Sequence, residues 1–108
     1  MLKKQNRANK KDIDLLFKEG KFLNSPNLTF KYLKKKEITT PRISFIAPKS
    51  VAKLAVKRNL LRRRGYDALK KYLDQFPAGI LGVFVFKKYQ DDILLIENEI
   101  KEILSKIN

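Results

Sequence analysis

The chain has 108 residues and a formal net charge of +14, from 25 Lys/Arg against 11 Asp/Glu. Its length suits a single domain over residues 1–108 with one core, and its 44 % apolar content favours folding over disorder. It contains neither cysteine nor histidine, which excludes disulfides, thiolate and imidazole metal sites, the usual general base and every histidine-dependent triad.

The charge is unevenly spread. Residues 1–71 hold 21 Lys/Arg and 5 Asp/Glu, a net of +16, whereas residues 72–108 hold 4 and 6, a net of −2. Solubility alone needs a net charge of only about 2–8 in a small domain. The excess predicts a polyanionic partner, because each phosphate neutralised releases condensed counterions. No apolar run approaches the roughly 20 residues of a membrane span, and the basic "MLKKQNRANKKDID" lacks the apolar stretch of a secretory signal. A soluble, cytoplasmic protein is expected.

In chain order, "NKKDIDLLFKEG" predicts a short helix capped by Asn9, with Asp12 in its first turn, Ile13, Leu16 and Phe17 on one face, and Gly20 as its stop. "NLTFKYLKK" alternates as a strand does, with Leu28, Phe30 and Tyr32 on one face and Thr29, Lys31 and Leu33 on the other. "RISFIAPK" reads as a second strand after the turn "EITTP", and the two are expected to pair antiparallel. From about Lys53 to Phe76 the period becomes helical. Leu54, Leu61, Ala68, Leu69, Tyr72 and Phe76 fall on one side of the wheel, with Asn59, Arg63, Tyr66 and Lys70 opposite. "AGILGVFVF" reads as a central strand buried on both faces. A last helix, starting near Asp91–Asp92, lays down Ile93, Ile96, Ile100, Ile103, Leu104 and Ile107 as one stripe, its acids gathered early and Lys106 late. The order helix, strands, helix, strand, helix predicts an α+β sandwich, one sheet with helices packed on it.

Candidates for catalysis are few. Most of the eleven acids are expected on helix surfaces or ends, solvated or matched to a helix dipole. An Asp91–Asp92 pair could hold Mg²⁺, but such a pair more simply opens a helix and lacks a full ligand set. There is no glycine-rich phosphate cradle. Candidates for binding are better. "KLAVKRNLLRRRGYD" carries Lys53, Lys57, Arg58, Arg62, Arg63 and Arg64 on helical spacing, with Asn59 and Tyr66 among them. Guanidinium groups grip phosphate bidentately as ammonium groups cannot. Phe17, Phe30 and Tyr32 are possible platforms for unpaired bases, each weighed against burial in the core. Lys31, opposite Phe30, is a plausible backbone contact.

These residues bear a family resemblance. Asn6–Arg7, then "LLFKEGK" with Phe17, Lys18 and Gly20, then "RISFIAPKSVAKLAVKRN" ending in Arg58–Asn59, followed by Arg62–Arg63, resemble in order and spacing the bacterial ribonuclease P protein subunit. The chain departs from that pattern at Leu60, Gly65 and Tyr66, and Lys31 stands where a cleft tyrosine is usual. The resemblance implies a two-layer α/β sandwich with one central mixed sheet and a left-handed βαβ crossover. It implies that Lys49, Lys53, Lys57, Arg58, Asn59, Arg62, Arg63, Arg64 and Tyr66 face RNA. It further implies that Arg7, Ile13, Phe17 and Lys31 line a cleft for the 5′ leader of precursor tRNA. The partners implied are ribonuclease P RNA, in a 1:1 complex with a monomeric protein, and precursor tRNA. Mg²⁺ would be bound mainly by the RNA, which would be the catalyst, with the protein an accessory subunit holding no catalytic residue. A ribosomal or general RNA-binding protein without a processing role is the alternative. A helix-turn-helix DNA regulator fits poorly, since the long helix is flanked by strands.

Overall fold

A computed structural model describes residues 6–107. Helix α1 (Lys10–Glu19) is followed by strands β1 (Lys21–Asn24), β2 (Leu28–Lys34) and β3 (Arg42–Ile46). Helix α2 (Ala55–Lys70), a short 3₁₀ turn (Leu73–Gln75), strand β4 (Ile80–Phe86) and helix α3 (Ile93–Ile107) complete the chain. Asn9 caps α1 as its sequence predicts. Its side-chain oxygen accepts from the Asp12 N–H at 2.9 Å, and its own N–H donates to Asp12 Oδ2 at 3.0 Å.

One mixed sheet holds the four strands in the order β1-β2-β4-β3. The expected antiparallel pairing of residues 27–35 with 42–49 does not form. β4 lies between β2 and β3, antiparallel to the first and parallel to the second. The physical reason is burial. Continuously apolar β4 is buried along nearly its whole length, and a strand apolar on both sides belongs in the middle of a sheet. β1, four residues with no long alternation, is a strand that periodicity did not reveal. It adds to the outer edge of β2.

The register puts Phe30, Phe84 and Phe45 in one row across β2, β4 and β3. Their rings stack, with centroids 4.3 Å apart for Phe30–Phe84 and 4.9 Å for Phe45–Phe84. Such contacts add about 0.5–1.5 kcal/mol each beyond burial. α2 and α3 cover this face through Leu61, Ala68, Leu69, Ile96, Ile100 and Ile103. α1 covers part of the other face, where Leu16 packs with Leu81 and Val83. Phe30 is therefore core, and Tyr32 stacks on it at 5.5 Å on the same side. Fully buried Phe30 is no platform for bases, and Tyr32 is half-buried against it.

Two further expectations change. The long helix stops at Lys70, and Tyr72 and Phe76 reach the core from the turns beyond it. Leu54, expected in the apolar stripe, is exposed because it precedes the first helical turn. Gly65 costs helix propensity of about 1 kcal/mol relative to Ala, yet the packing requires it: a Cβ there would lie 2.5 Å from the Phe45 ring.

Not all the acids are solvated either. Glu97 and Glu99 on α3 are buried, and α3 has no acid in its first turn. Glu97 pairs with Lys71 at 3.2 Å, tying the end of α2 to α3. Glu99 accepts from Ser25 Oγ at 2.5 Å, the Asn27 N–H at 2.7 Å and Asn27 Nδ2 at 2.6 Å. One carboxylate thus fixes the turn that joins β1 to β2. Among the described residues, every buried side-chain nitrogen or oxygen has a hydrogen-bond partner, as a well-specified interior demands.

Candidate nucleic-acid interface

The basic surface is built around α2. Lys49, Lys53 and Lys57 are exposed at or just before its N-terminal end, where the helix dipole is positive and anions are favoured. No side chain caps this end. Instead Arg58 turns back over it, and its Nη1 donates to the carbonyls of Ala52 at 3.0 Å and Lys53 at 2.7 Å. Arg58 is thus half-buried and anchors the loop leading into the helix, leaving less of its guanidinium for a ligand than sequence implied.

One turn on, Arg62 donates to the Asn59 side-chain oxygen. Asn59, Arg62, Arg63, Tyr66 and Asp67 line a groove along the helix. Arg62 and Arg63 are exposed on it. Arg64 is exposed as well, but at 100° per residue it lies about 160° around the helix from Arg62. The basic residues therefore form two flanks, Arg62–Asn59–Arg63 on one and Lys57–Arg64 on the other.

Tyr66 needs correction. Sequence placed it on the exposed basic face, yet it is only 6 % exposed and belongs to the core. Its hydroxyl accepts the Phe45 N–H at 3.2 Å, and its ring meets Phe45 edge-on. Gly65 leaves space for the Phe45 ring, and Tyr66 closes over it. Tyr66 is the floor of the groove.

A second groove, of about 380 Å³, joins α2 to the start of α1. It is lined by Arg7, Ile13, Ser44, Ile46, Arg62 and Tyr66, among others. The segment before α1 is laid along β3 by two contacts. Asn6 Nδ2 donates to the Pro41 carbonyl at 3.3 Å, and Ser44 Oγ donates to the Ala8 carbonyl at 2.9 Å. Arg7 lies between these anchors. Arg42 and Asp12, 3.8 Å apart, add an ion pair between β3 and α1.

Further along α1, the sheet face continues to Phe17 and Lys31. The Lys31 ammonium stands 4.6 Å from the Phe17 ring centroid, within cation–π range. The four residues expected in a cleft thus fall in two places: Arg7 and Ile13 in the groove beside α2, Phe17 and Lys31 at the other end of α1. The structure adds two neighbours the sequence did not single out, Asp67 lining the α2 groove and Phe22 across from Lys31. Phe22 lies in the unrecognised β1. The signal available was its place two residues after the helix-stopping Gly20, shortly before the alternating run.

Asp91 accepts from the Tyr89 hydroxyl at 3.3 Å, and Asp92 accepts the Leu94 N–H at 3.0 Å, so both shape the start of α3. Among the described residues no group of three or more His, Cys, Asp or Glu is placed to hold a metal ion. Nor is any helix there long and apolar enough to cross a membrane.

Comparisons with known proteins bear on the family and the fold. The family model described as ribonuclease P matches residues 1–108. A search of curated proteins gave no match. Among solved structures, a Staphylococcus aureus RNase P protein mutant with defective mRNA degradation activity superposes with a TM-score of 0.82 at 20 % identity, over 96 % of this chain and 89 % of that one. The RNase P protein from Thermotoga maritima gives 0.81 at 21 % identity, over 94 % of this chain and 97 % of the other. At such identities these structures speak for the fold, while the family model covers the whole sequence. The chain belongs to the ribonuclease P protein family, as a protein subunit of that tRNA-processing ribonuclease.

Proposed function

We propose that the α2 surface binds the ribonuclease P RNA and that the cleft between α1 and the sheet holds the single-stranded 5′ leader of precursor tRNA. Lys49, Lys53, Lys57, Arg62, Arg63 and Arg64 neutralise phosphates of the RNA partner, fixing position without reading sequence. Arg7 and Lys31 meet the leader backbone, and Phe17 and Ile13 offer apolar surface to its bases. The RNA performs the endonucleolytic cut and leaves the mature 5′ end, with Mg²⁺ held mainly by RNA. The protein, without histidine or a ready nucleophile, contributes affinity and alignment. It acts as a monomer in a 1:1 complex, in the cytoplasm.

The observation that carries this reading is the shared groove. Arg7 and Ile13 on one side and Arg62 and Tyr66 on the other line one continuous concavity, so a strand leaving an RNA on α2 enters the α1 cleft directly. The test is the affinity of the reconstituted ribonucleoprotein for precursor and for mature tRNA. Precursor should bind more tightly, and the difference should vanish when the protein is left out. Equal affinities with the protein present would overturn the leader cleft.

A further inference from the structure

We infer that Phe22, on the outer strand of the sheet, is a second stacking site for an unpaired nucleobase, at the far end of the cleft proposed above for the leader. The inference rests on that reading and extends it to one more residue. Phe22 is the direct cross-strand partner of Lys31, and directly opposed residues point to the same face with Cβ atoms about 4.5–5.5 Å apart. That face is the one α1 only partly covers. Lys31 in turn places its ammonium 4.6 Å from the Phe17 ring. Lys31 thus neighbours two exposed rings, Phe17 beneath its ammonium and Phe22 across the strand pair, at 49 % and 63 % exposure.

The next pair on this face is polar. Thr29 Oγ1 donates to Asn24 Oδ1 at 2.7 Å, and Asn24 and Thr29 are register partners. The β1 edge therefore carries a flat apolar ring, a central ammonium and a fixed polar ledge. A ring for the base and a cation for the phosphate are what a single strand uses when no sequence is read. Core packing does not account for Phe22, which is exposed and belongs to neither hydrophobic cluster of the protein. An uncovered aromatic ring on an edge strand is otherwise a liability for association.

The topology also sets where along the leader this site acts. β3, beside the Arg62 end of the groove, and β1 are separated by three interstrand gaps, about 14 Å in all. A leader that enters from α2 must cross the sheet before it meets Phe22. The shortest leaders stop before it.

The experiment uses the reconstituted ribonucleoprotein and precursor tRNAs whose leaders are lengthened one nucleotide at a time. Wild-type affinity should rise with leader length. Phe22→Ala should lose roughly 5- to 150-fold on long leaders, the range of one base stacked on one ring, and nothing on a single-nucleotide leader. Phe22→Tyr should retain the wild-type profile. Phe22→Leu keeps an apolar strand residue but removes the flat ring, and should show the same loss as Phe22→Ala even if the alanine variant folds poorly. The inference is overturned if wild type gains affinity with length and both Phe22→Ala and Phe22→Leu gain equally. A wild type indifferent to leader length would instead remove the leader cleft itself, and this site with it.

Discussion

The hydroxyl of Tyr66 accepts a hydrogen bond from the backbone N–H of Phe45 at 3.2 Å, joining the middle of α2 to an edge strand of the sheet. The bond holds α2 at a fixed height over the β3 end of the groove. It also fixes what Tyr66 does. Tyr66→Phe keeps the ring as groove floor but strands a buried donor, which should cost about 1–3 kcal/mol in denaturant unfolding. RNA affinity of the folded variant should be unchanged. Weakened RNA binding at unaltered stability would show that the hydroxyl contacts the ligand after all.

The Glu99 carboxylate fastens the β1–β2 turn to α3 through three hydrogen bonds. Glu99→Ala should destabilise the protein by about 3 kcal/mol, since hydrogen bonds to a charged group disappear and buried partners are left unpaired. Amide hydrogen exchange should rise first in β1 and the adjoining turn, which the carboxylate no longer anchors. The same hairpin carries Phe22 and Lys31, so leader affinity should fall while affinity for the RNA subunit holds. Uniform acceleration of exchange across all strands would contradict a local anchor.

Arg62 and Arg63 share the groove on one flank of α2. Replacing both with Ala should weaken RNA binding and flatten the plot of log affinity against log salt by roughly 0.7–0.9 for each phosphate no longer neutralised. The unfolding midpoint should move little, because both side chains are exposed. Arg58→Ala should behave differently, lowering stability as well, because its guanidinium holds the carbonyls of Ala52 and Lys53. An unchanged salt slope in the folded double variant would remove this flank from the interface.

How much of this was legible in the sequence depended on the range of the interaction concerned. Asn9, Gly20 and the apolar run at Ile80–Phe86 act locally or through strong patterns, and their elements appear where the residues predict. The pairing of strands was not local. Two alternating runs close in sequence suggested a hairpin, but the most apolar strand, far along the chain, took the place between them. β1 escaped notice because four residues are too few for a period to emerge. The helical wheel places Asn59, Arg63 and Lys70 away from the apolar stripe, and Arg63 and Lys70 are exposed. It misplaced Tyr66 because a wheel knows angles only. Gly65 brings Phe45 close to the helix, and that proximity buries a residue that angle alone would expose. Glu97 and Glu99 were invisible for a related reason: their partners, Lys71, Ser25 and Asn27, are distant in sequence.

On the function proposed above, this protein equips an RNA to cut rather than cutting by itself. The most direct measurement is 5′ processing of precursor tRNA at low Mg²⁺ by a ribonuclease P RNA, by this protein, and by the two together. The account predicts little cleavage from either alone and accurate release of the leader from the mixture. Cleavage by the purified protein alone, or a mixture no better than the RNA alone despite tight binding, would contradict it.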